Sequence, residues 1–319
     1  MIKLVENREE WDEFVKGSDG HPLQLWAWGE IKKRSENWSA SRLLVDDLGG
    51  AQILIRKLPK PFKSMAYIPR GPVVKNRNQR TKVLAQLSEW VKDQGSIELK
   101  IEPDWLDTTG LENFKKSKNQ ILIPNTMCVD LNKDKEELLS DMEGKTRQNI
   151  RRSLKYGVTA RLAAPDDFPK IMKIYHETAT RAGFGLHTEK YYADIMELFG
   201  DDSRIYVAER EGQIISFVWC VATPLISFEL YGGMNDEGKK YRSNFALKWL
   251  AMLSEQERGT KFYDMNGLLQ GGVSDFKRGF ASMETKWVGA YDKPLSPMYN
   301  LYEKALPTGK KLIQKISNR

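Results

Sequence analysis

The sequence predicts an α/β fold in which two domains share one order of helices and strands. Its length of 319 residues exceeds one typical domain and suits two of ordinary size. Hydrophobic residues make up 40% of the chain and charged residues 29%, the balance of a globular protein with enough apolar side chains for two cores. The third observation is a pattern of helices and strands that occurs twice along the chain.

The first copy of this pattern lies in the first third of the sequence. Runs of β-branched and aromatic residues between turn-forming residues indicate strands, and apolar spacing that ends at a glycine indicates helices. These rules predict, in order, a helix over 23–34, strands over 40–45, 51–58 and 64–74, a helix over 79–94 and a strand over 96–101.

The second copy has the same order of elements. It is predicted as a helix over 166–180, strands over 204–209, 213–223 and 226–232, a helix over 241–257 and a strand over 261–266. A helix, three antiparallel strands, a helix and a strand is the order of the acetyltransferase-like (GNAT) fold. We therefore predict two tandem domains of this fold with a cleft between them.

The repeat also sets the predicted domain boundaries. The first acetyltransferase-like domain is expected to cover residues 1–141 and the second residues 142–289. The last segment, 290–319, is expected to complete the first domain. It is basic and predicted to be helical from Pro297, with a break at Pro307.

The net charge and the residue counts limit the functions that the chain could have. The net charge of +7 suits an anionic partner such as RNA, a phosphorylated substrate or a membrane surface. Two cysteines and three histidines show no metal-ligand spacing, so we expect no disulfide framework, no metal and no cofactor. The sequence has no apolar run of the roughly 18 residues that a membrane helix needs and no signal peptide at its start, which predicts a cytoplasmic protein.

A basic segment between the two copies is predicted to be a helix that ends at Gly157. Arg147, Arg151 and Lys155 form one row at four-residue spacing, and Arg152 lies on another side. Such a helix is either a solvated surface or an anion-binding one. We favour anion binding, because no acidic side chain lies among the basic ones.

The usual acyl-donor site of an acetyltransferase is not found. A CoA-dependent enzyme needs a glycine-rich backbone cradle for pyrophosphate after its fourth strand. The corresponding segment, 232–244, contains Asp236 and Glu237, which would repel phosphate, and segment 75–81 of the first copy has no glycine. No G-x-S-x-G nucleophile elbow occurs either. The scaffold is therefore acetyltransferase-like, but its donor is expected to differ.

Several short motifs occur in a fixed order over most of the chain. They are Gln24-Leu25-Trp26-Ala27-Trp28-Gly29-Glu30-Ile31-Lys32, Tyr67-Ile68-Pro69-Arg70-Gly71-Pro72, the basic segment 145–158, Tyr231-Gly232-Gly233, Tyr263-Asp264-Met265-Asn266-Gly267 and Phe276-Lys277-Arg278-Gly279-Phe280. Together they resemble the motifs of the FemABX family of aminoacyltransferases. Only a short loop, 181–188, stands where some members carry a long coiled coil, so the chain resembles the compact, FemX-like members.

The resemblance implies an enzyme of peptidoglycan synthesis. It would move an amino acid from aminoacyl-tRNA to the stem-peptide amine of UDP-MurNAc-pentapeptide or lipid II. A monomer with a peripheral contact to the membrane surface is expected. Two alternatives stay open: tRNA-dependent transfer to another small-molecule or peptide acceptor, and a non-catalytic RNA-binding protein on the same scaffold.

Three residues are predicted to serve catalysis. Lys277, with its neighbour Phe276, matches the family signature, and a lysine ammonium suits a developing oxyanion or a phosphate. Asp104 follows the last predicted strand of the first copy, where a carboxylate would orient or deprotonate the attacking amine. An aspartate after proline also forms turns, so a purely structural role for Asp104 is an equal alternative.

The remaining assignments concern binding. The resemblance places Lys32 and Arg181 on the diphosphate of the precursor and Tyr231 on its sugar or peptide, and Arg70 is also predicted to bind the substrate. A core tyrosine is the structural alternative for Tyr231. The basic helix, with Arg147, Arg151, Arg152 and Lys155, is assigned to tRNA.

Overall fold

The computed structural model describes residues 1–34, 37–269 and 271–306. The chain forms two compact units. The first unit contains Met1–Ser18, Leu23–Leu122 and the described residues from Trp287, and the second contains Asp19–Pro22 and Ile123–Lys286. Each unit has its own sheet and its own apolar core.

Helices occupy the five positions predicted for the two copies and the basic segment, and further helices lie outside this pattern. The α-helices are α1 (Arg8–Gly17), α2 (Trp26–Lys33), α3 (Arg80–Asp93), α4 (Lys135–Asp141), α5 (Gly144–Lys155), α6 (Phe168–Ala182), α7 (Glu189–Phe199), α8 (Asp236–Lys240), α9 (Ser243–Glu257) and α10 (Gly272–Arg278). Residues 298–306 are also helical. No α-helix among the described residues combines the length and the apolar character that a membrane span requires.

The strands are distributed over the two sheets. They are β1 (Ile2–Leu4), β2 (Trp38–Val45), β3 (Gly49–Lys57), β4 (Ser64–Pro69), β5 (Val73–Val74), β6 (Glu98–Glu102), β7 (Lys115–Lys116), β8 (Asn125–Asp130), β9 (Thr159–Leu162), β10 (Ser203–Arg210), β11 (Gln213–Ala222), β12 (Ile226–Met234), β13 (Phe262–Gly267), β14 (Thr285–Lys286) and β15 (Tyr291–Pro294).

The first sheet has the order β1-β2-β3-β4-β6-β15-β7, and β5 pairs with β3. Strands β1 to β4 run antiparallel to their neighbours, β4 and β6 are parallel, and β15 is antiparallel to β6. The parallel pair needs a crossover connection, which α3 supplies between β4 and β6.

The second sheet has the order β14-β8-β13-β12-β11-β10-β9. Strands β9 to β12 are antiparallel to their neighbours, β12 and β13 are parallel, and β8 is antiparallel to β13. Here α9 makes the crossover between the parallel strands. The two sheets therefore share one topology, which confirms the predicted pair of acetyltransferase-like domains.

The units divide where they do because each sheet takes one strand from a distant part of the chain. Strand β8 precedes the other strands of the second sheet along the chain, whereas β15 follows all other strands of the first. Residues 123–141, placed by the sequence in the first domain, thus lie in the second unit, and residues 287–289 lie in the first. Pairing of β8 with β13 is not visible in local sequence patterns. Of the predicted basic C-terminal segment 290–319, residues 307–319 lie outside the described residues.

The first repeat differs from the sequence prediction at one turn. The strand predicted over 64–74 is divided into β4 and β5. Arg70, between them, has a φ of +48° in the left-handed region, which interrupts the extended conformation.

In each unit a large apolar core lies on the sheet face that the crossover helix covers. In the first unit, Leu99 and Ile101 of β6 pack with Val83 and Leu87 of α3. In the second unit, the buried set includes Met252 of α9, Tyr263 of β13 and Ile150 of α5. The basic helix α5 is therefore fixed to the second core by its apolar side.

Candidate active site

Lys277 lies on α10, soon after strand β13 along the chain. Its Nζ donates hydrogen bonds to the carbonyl oxygens of Asn266 at 3.2 Å and Gly267 at 3.0 Å. Successive carbonyls of an extended strand point to opposite sides, so one ammonium does not normally reach both. Asn266 has a φ of +60°, a left-handed conformation that asparagine tolerates better than most residues. This conformation allows both carbonyls to accept from Lys277.

Neighbouring side chains hold this turn in place. The Oδ1 atom of the buried Asp264 accepts from the backbone N–H of Asn266 at 2.7 Å and from the hydroxyl of Thr126. Asn266 Nδ2 donates to the carbonyl of Glu229 at 2.9 Å. A Cβ added to Gly267 would lie 2.4 Å from the Cβ of Ile123, so only glycine fits there. The motif 263–267 thus builds the carbonyl pair that holds Lys277.

A buried ion pair interacts electrostatically with Lys277. Lys248 of α9 donates to a carboxylate oxygen of Glu229 on β12, and both residues are 7% exposed. Burial lowers the pKa of Lys277, the negative charge of Glu229 opposes that shift, and the positive charge of Lys248 adds to it. Glu229 and Lys248 therefore both affect the pKa of Lys277, and neither was predicted from the sequence. A glutamate in an otherwise apolar strand was the available signal.

A bulge in β12 separates two groups of side chains. Tyr231 pairs with Trp219 and Glu229 pairs with Cys220, which leaves Leu230 without a counterpart. Because Trp219 and Cys220 are adjacent on β11, their side chains point to opposite faces, and so do those of Tyr231 and Glu229. Glu229 thereby faces Lys248 of α9, and Tyr231 faces the helices on the other side.

Phe276 packs in an aromatic cluster between α9 and α10. Its ring centroid lies 4.8 Å from that of Phe245 and 5.2 Å from that of Phe280. Lys248 Nζ lies 5.7 Å from the Phe276 centroid. The structure thus shows Phe276 fixing α10, and with it the adjacent Lys277, against α9.

Arg181 and Tyr231 lie on the opposite face of the second sheet. The Tyr231 ring is surrounded by aromatic rings, with centroids 5.6 Å from Tyr175 and 5.2 Å from Tyr192. Arg181, on the exposed side of α6, donates to the carbonyl of Met234 at the end of β12 at 2.8 Å. Both predicted contact residues are therefore anchored around the end of β12.

The basic helix α5 presents part of its charge to solvent. Arg151, Arg152 and Lys155 are exposed, and none has an ion-pair partner in the part of the chain that the structure describes. Arg147 differs, because its Nη1 donates to the carbonyls of Leu139, Ser140 and Met142 at the end of α4. Arg147 therefore has a structural contact that its place in the basic row did not reveal.

Helix α5 also contacts the helix that carries Lys277. The N–H of Glu143 donates to the carbonyl of Gly279 at 2.9 Å. A Cβ added to Gly279 would lie 2.2 Å from Thr146 Oγ1, which shows how closely the end of α10 approaches the start of α5. The second unit therefore joins the end of the Lys277 helix to the start of the basic helix.

Lys32 lies on α2 in the first unit and is half-buried. Its Nζ lies 4.4 Å from the centroid of the Trp28 ring, one helical turn earlier. Burial lowers the pKa of Lys32 to about 8. Its ammonium is therefore poorly solvated and would gain from an anionic ligand.

Two motifs of the first unit meet at the buried side chain of Gln24. Its Oε1 accepts from the N–H of Gln52 at 2.9 Å, and its Nε2 donates to the carbonyl of Pro69 at 2.6 Å. A Cβ on Gly71 would lie 2.7 Å from the Gln24 amide carbon. The segment before Lys32 and the Pro69-Arg70-Gly71 turn are thus joined by one amide.

The other two predicted residues of the first unit have different surroundings. Arg70 is 2% exposed, with its guanidinium 5.8 Å from the centroid of Trp287. Asp104 is half-buried two residues beyond the end of β6, where it interacts electrostatically with Arg80. Lys32 and Asp104 thus keep partial access to solvent, whereas Arg70 is enclosed.

Comparisons with known proteins agree with the motifs. A model described as the FemAB family matches residues 7–127, 115–213 and 209–306. The lipid II:glycine glycyltransferase of Staphylococcus aureus strain MRSA252 is 23% identical over 418 aligned positions, covering 100% of this chain and 99% of the relative. Since this chain has 319 residues, at least 99 of those positions have no counterpart in it. The proteins of the same name from strains USA300 and COL give the same identity and coverage.

Solved structures show the same fold at low sequence identity. The crystal structure of FemX has a TM-score of 0.83 at 22% identity and covers 95% of this chain and 100% of that one. L-PGS from Bacillus licheniformis has a TM-score of 0.61 at 14% identity, with coverage of 93% and 95%. A tandem GNAT protein from the clavulanic acid biosynthesis pathway has a TM-score of 0.50 at 12% identity, covering 93% and 99%.

The family assignment rests on the extent of these matches. The three matched segments together span residues 7–306, and the ordered motifs lie within them. The predicted family is thereby confirmed: the chain belongs to the FemAB family.

Proposed function

We propose that this protein transfers an amino acid from aminoacyl-tRNA to the stem-peptide amine of a peptidoglycan precursor. The observation that carries the proposal is the ammonium of Lys277, held by two backbone carbonyls on a helix that contacts the exposed basic helix α5. Family membership and the lipid II:glycine glycyltransferase relatives support the reaction class.

The chemistry requires stabilisation of negative charge. The acceptor amine attacks the carbonyl carbon of the aminoacyl ester, and the carbonyl oxygen becomes an oxyanion. The tetrahedral intermediate then collapses, the bond to the tRNA ribose breaks, and the ribose oxygen leaves as a hydroxyl, with the proton balanced by the one that the attacking amine loses. Positioning and electrostatic stabilisation are the main contributions an enzyme makes to such a reaction.

The hydrogen bonds of Lys277 hold it in a state suited to stabilising the oxyanion. A lysine ammonium has three N–H donors, and the carbonyls of Asn266 and Gly267 use two of them. The third is available for the oxyanion, since no other acceptor within the described residues bonds to Nζ. The two carbonyls fix the position of Nζ before substrate arrives, so little reorganisation is needed during the reaction.

The acceptor is assigned to residues with partial solvent access. We propose that Lys32 and Arg181 each contact phosphate of the precursor, that Tyr231 contacts its sugar or peptide, and that Asp104 orients the attacking amine. Arg70 is left out of these contacts because its side chain is enclosed. These residues do not distinguish a nucleotide-linked from a lipid-linked precursor, since both precursors present a diphosphate.

The tRNA is assigned to the exposed side of α5. Arg151, Arg152 and Lys155 lie on a helix whose opposite side is packed into the second core through Ile150. A fixed row of cations with no internal anionic partner attracts the phosphate backbone. Arg147 supports this surface by capping α4.

Substitution of Lys277 tests the chemical step. Lys277→Met removes the charge and keeps much of the volume, so we expect kcat for transfer to fall about 10²- to 10³-fold, the typical cost of losing one oxyanion donor. Lys277→Arg should restore part of the loss, because its charge is spread over a wider planar group. The measurement is the rate of transfer from charged tRNA to the precursor over a range of both substrate concentrations, which gives kcat and KM, with circular dichroism to verify folding.

Lys239→Met is the matched control, since Lys239 is an exposed lysine of the same unit. A folded Lys277→Met protein with parental kcat and KM would contradict the proposal. A raised KM for charged tRNA with near-normal kcat would move Lys277 from the oxyanion to a tRNA phosphate.

Lys32 should make acceptor binding depend on pH. Its pKa of about 8 means that the ammonium is present below this pH and lost above it. The acceptor KM of the parent protein should therefore rise between pH 7 and pH 9, whereas Lys32→Met should have a high KM throughout that range. Lys33→Met, one residue on and exposed, is the control. If the pH profiles of Lys32→Met and the parent coincide, Lys32 does not bind the precursor.

The salt dependence of tRNA binding tests the basic helix. Replacing Arg151, Arg152 and Lys155 by glutamine should make the slope of log Kd against log salt shallower by about 2, since each phosphate contact contributes about 0.7–0.9. The control replaces Lys82, Lys92 and Lys118, exposed lysines of the first unit, and has the same net charge. Fluorescence anisotropy of labelled tRNA gives both slopes. Equal slopes for the helix variant and the parent would remove α5 from the tRNA site.

A further inference from the structure

Three carboxylates that are distant in sequence meet in the first unit. Glu98 lies on β6, Asp292 on β15 and Glu303 in the helical residues 298–306. One oxygen of each carboxylate lies within 4.8 Å of those of the other two. The cluster belongs to neither the Lys277 group nor the residues assigned to the acceptor.

Glu98 is the unusual member of the cluster. The residue is 0% exposed, and neither of its carboxylate oxygens has a hydrogen-bond partner within the described part of the chain. A buried carboxylate without a partner is strongly unfavourable, and such groups normally pair with a cation, accept hydrogen bonds or bind a metal ion. Glu98 is therefore expected to bind a cation or a proton.

The other two carboxylates already have protein partners. Asp292 pairs with Lys100 and accepts from Tyr299 Oη at 3.1 Å. Glu303 accepts from Asn119 Nδ2 at 3.1 Å. With all carboxylates ionised, one lysine faces three negative charges, which leaves two unbalanced. A divalent cation has the charge that balances them.

The distances agree with a shared ion. Two oxygens bound to one ion lie no farther apart than twice the metal–oxygen bond, about 4.6–5.2 Å for Ca²⁺ and about 4.0–4.2 Å for Mg²⁺. The three oxygens lie within 4.8 Å of one another, close enough to share one divalent ion. Carboxylates are also the ligands that hard divalent cations prefer.

We propose that Glu98, Asp292 and Glu303 bind a divalent cation, with Glu98 supplying the oxygens that have no protein partner. The ion would join β6, β15 and the helical residues 298–306. It would thereby fasten the returning C-terminal part of the chain to the central strand that leads to Asp104.

A proton is the competing ligand of Glu98. Burial raises the pKa of Glu98 to about 8, Lys100 opposes this shift, and Asp292 and Glu303 add to it. The protein should therefore be assayed at about pH 8, where proton competition is weaker than at neutral pH.

Metal binding to the full chain tests the proposal. After treatment with EDTA and its removal, CaCl₂, MnCl₂ or MgCl₂ is added and the melting temperature and binding stoichiometry are measured. We expect one divalent ion per chain and a rise in Tm of about 5–10 °C at 100 times Kd. Glu98→Gln, which keeps the shape and removes the charge, should abolish the shift. Glu89→Gln, at an exposed position of α3, should keep it.

The variants also define the results that would overturn the proposal. If no divalent ion raises the Tm of the parent at millimolar concentration, the cluster holds protons instead. If Glu98→Gln retains the shift, the ion binds elsewhere. Should Glu98→Gln not fold, the half-buried Glu303→Gln takes its place, and a shift equal to that of the parent would be equally contradictory.

Discussion

The second unit depends on one constraint: a lysine ammonium away from bulk water must have acceptors. Lys277 obtains them from two successive carbonyls, which converge because Asn266 adopts a left-handed conformation at the end of β13. Asp264 and Thr126 stabilise that turn, and Gly267 leaves the space that Ile123 occupies. Much of the local sequence is explained by this single requirement.

The pKa of Lys277 is affected by Glu229 and Lys248, which lie elsewhere in the second unit. The bulge at Leu230 directs Glu229 to one face of the sheet, where Lys248 pairs with it. Without the bulge, Glu229 and Tyr231 would share a face, and the ion pair and the aromatic cluster would compete for the same space. One extra residue in a strand thus separates the charged group around Lys277 from the group around Tyr231.

The repeated order of elements and the motif residues could be read from the sequence because both are local. Neighbouring residues are enough to recognise the alternation of a strand, the glycine that ends a helix and the Phe276-Lys277 signature. The unit boundary was misplaced because β8 joins a sheet whose other strands come later in the chain. Arg147 and Arg70 have internal contacts that depend on the end of α4 and on Trp287. The carboxylate cluster joins positions about 200 residues apart, so no search for metal-ligand spacing finds it.

Transfer by the unmodified protein is the most direct test of the central claim. The purified chain is incubated with a pool of charged tRNAs and with UDP-MurNAc-pentapeptide or lipid II, and the products are weighed by mass spectrometry. A precursor with an acetylated stem-peptide amine and a pool of deacylated tRNA serve as controls. We expect a product heavier than the precursor by at least one aminoacyl residue, formed only with charged tRNA and a free amine. Absence of product on both precursors with every charged tRNA, from folded protein, would contradict the proposed function.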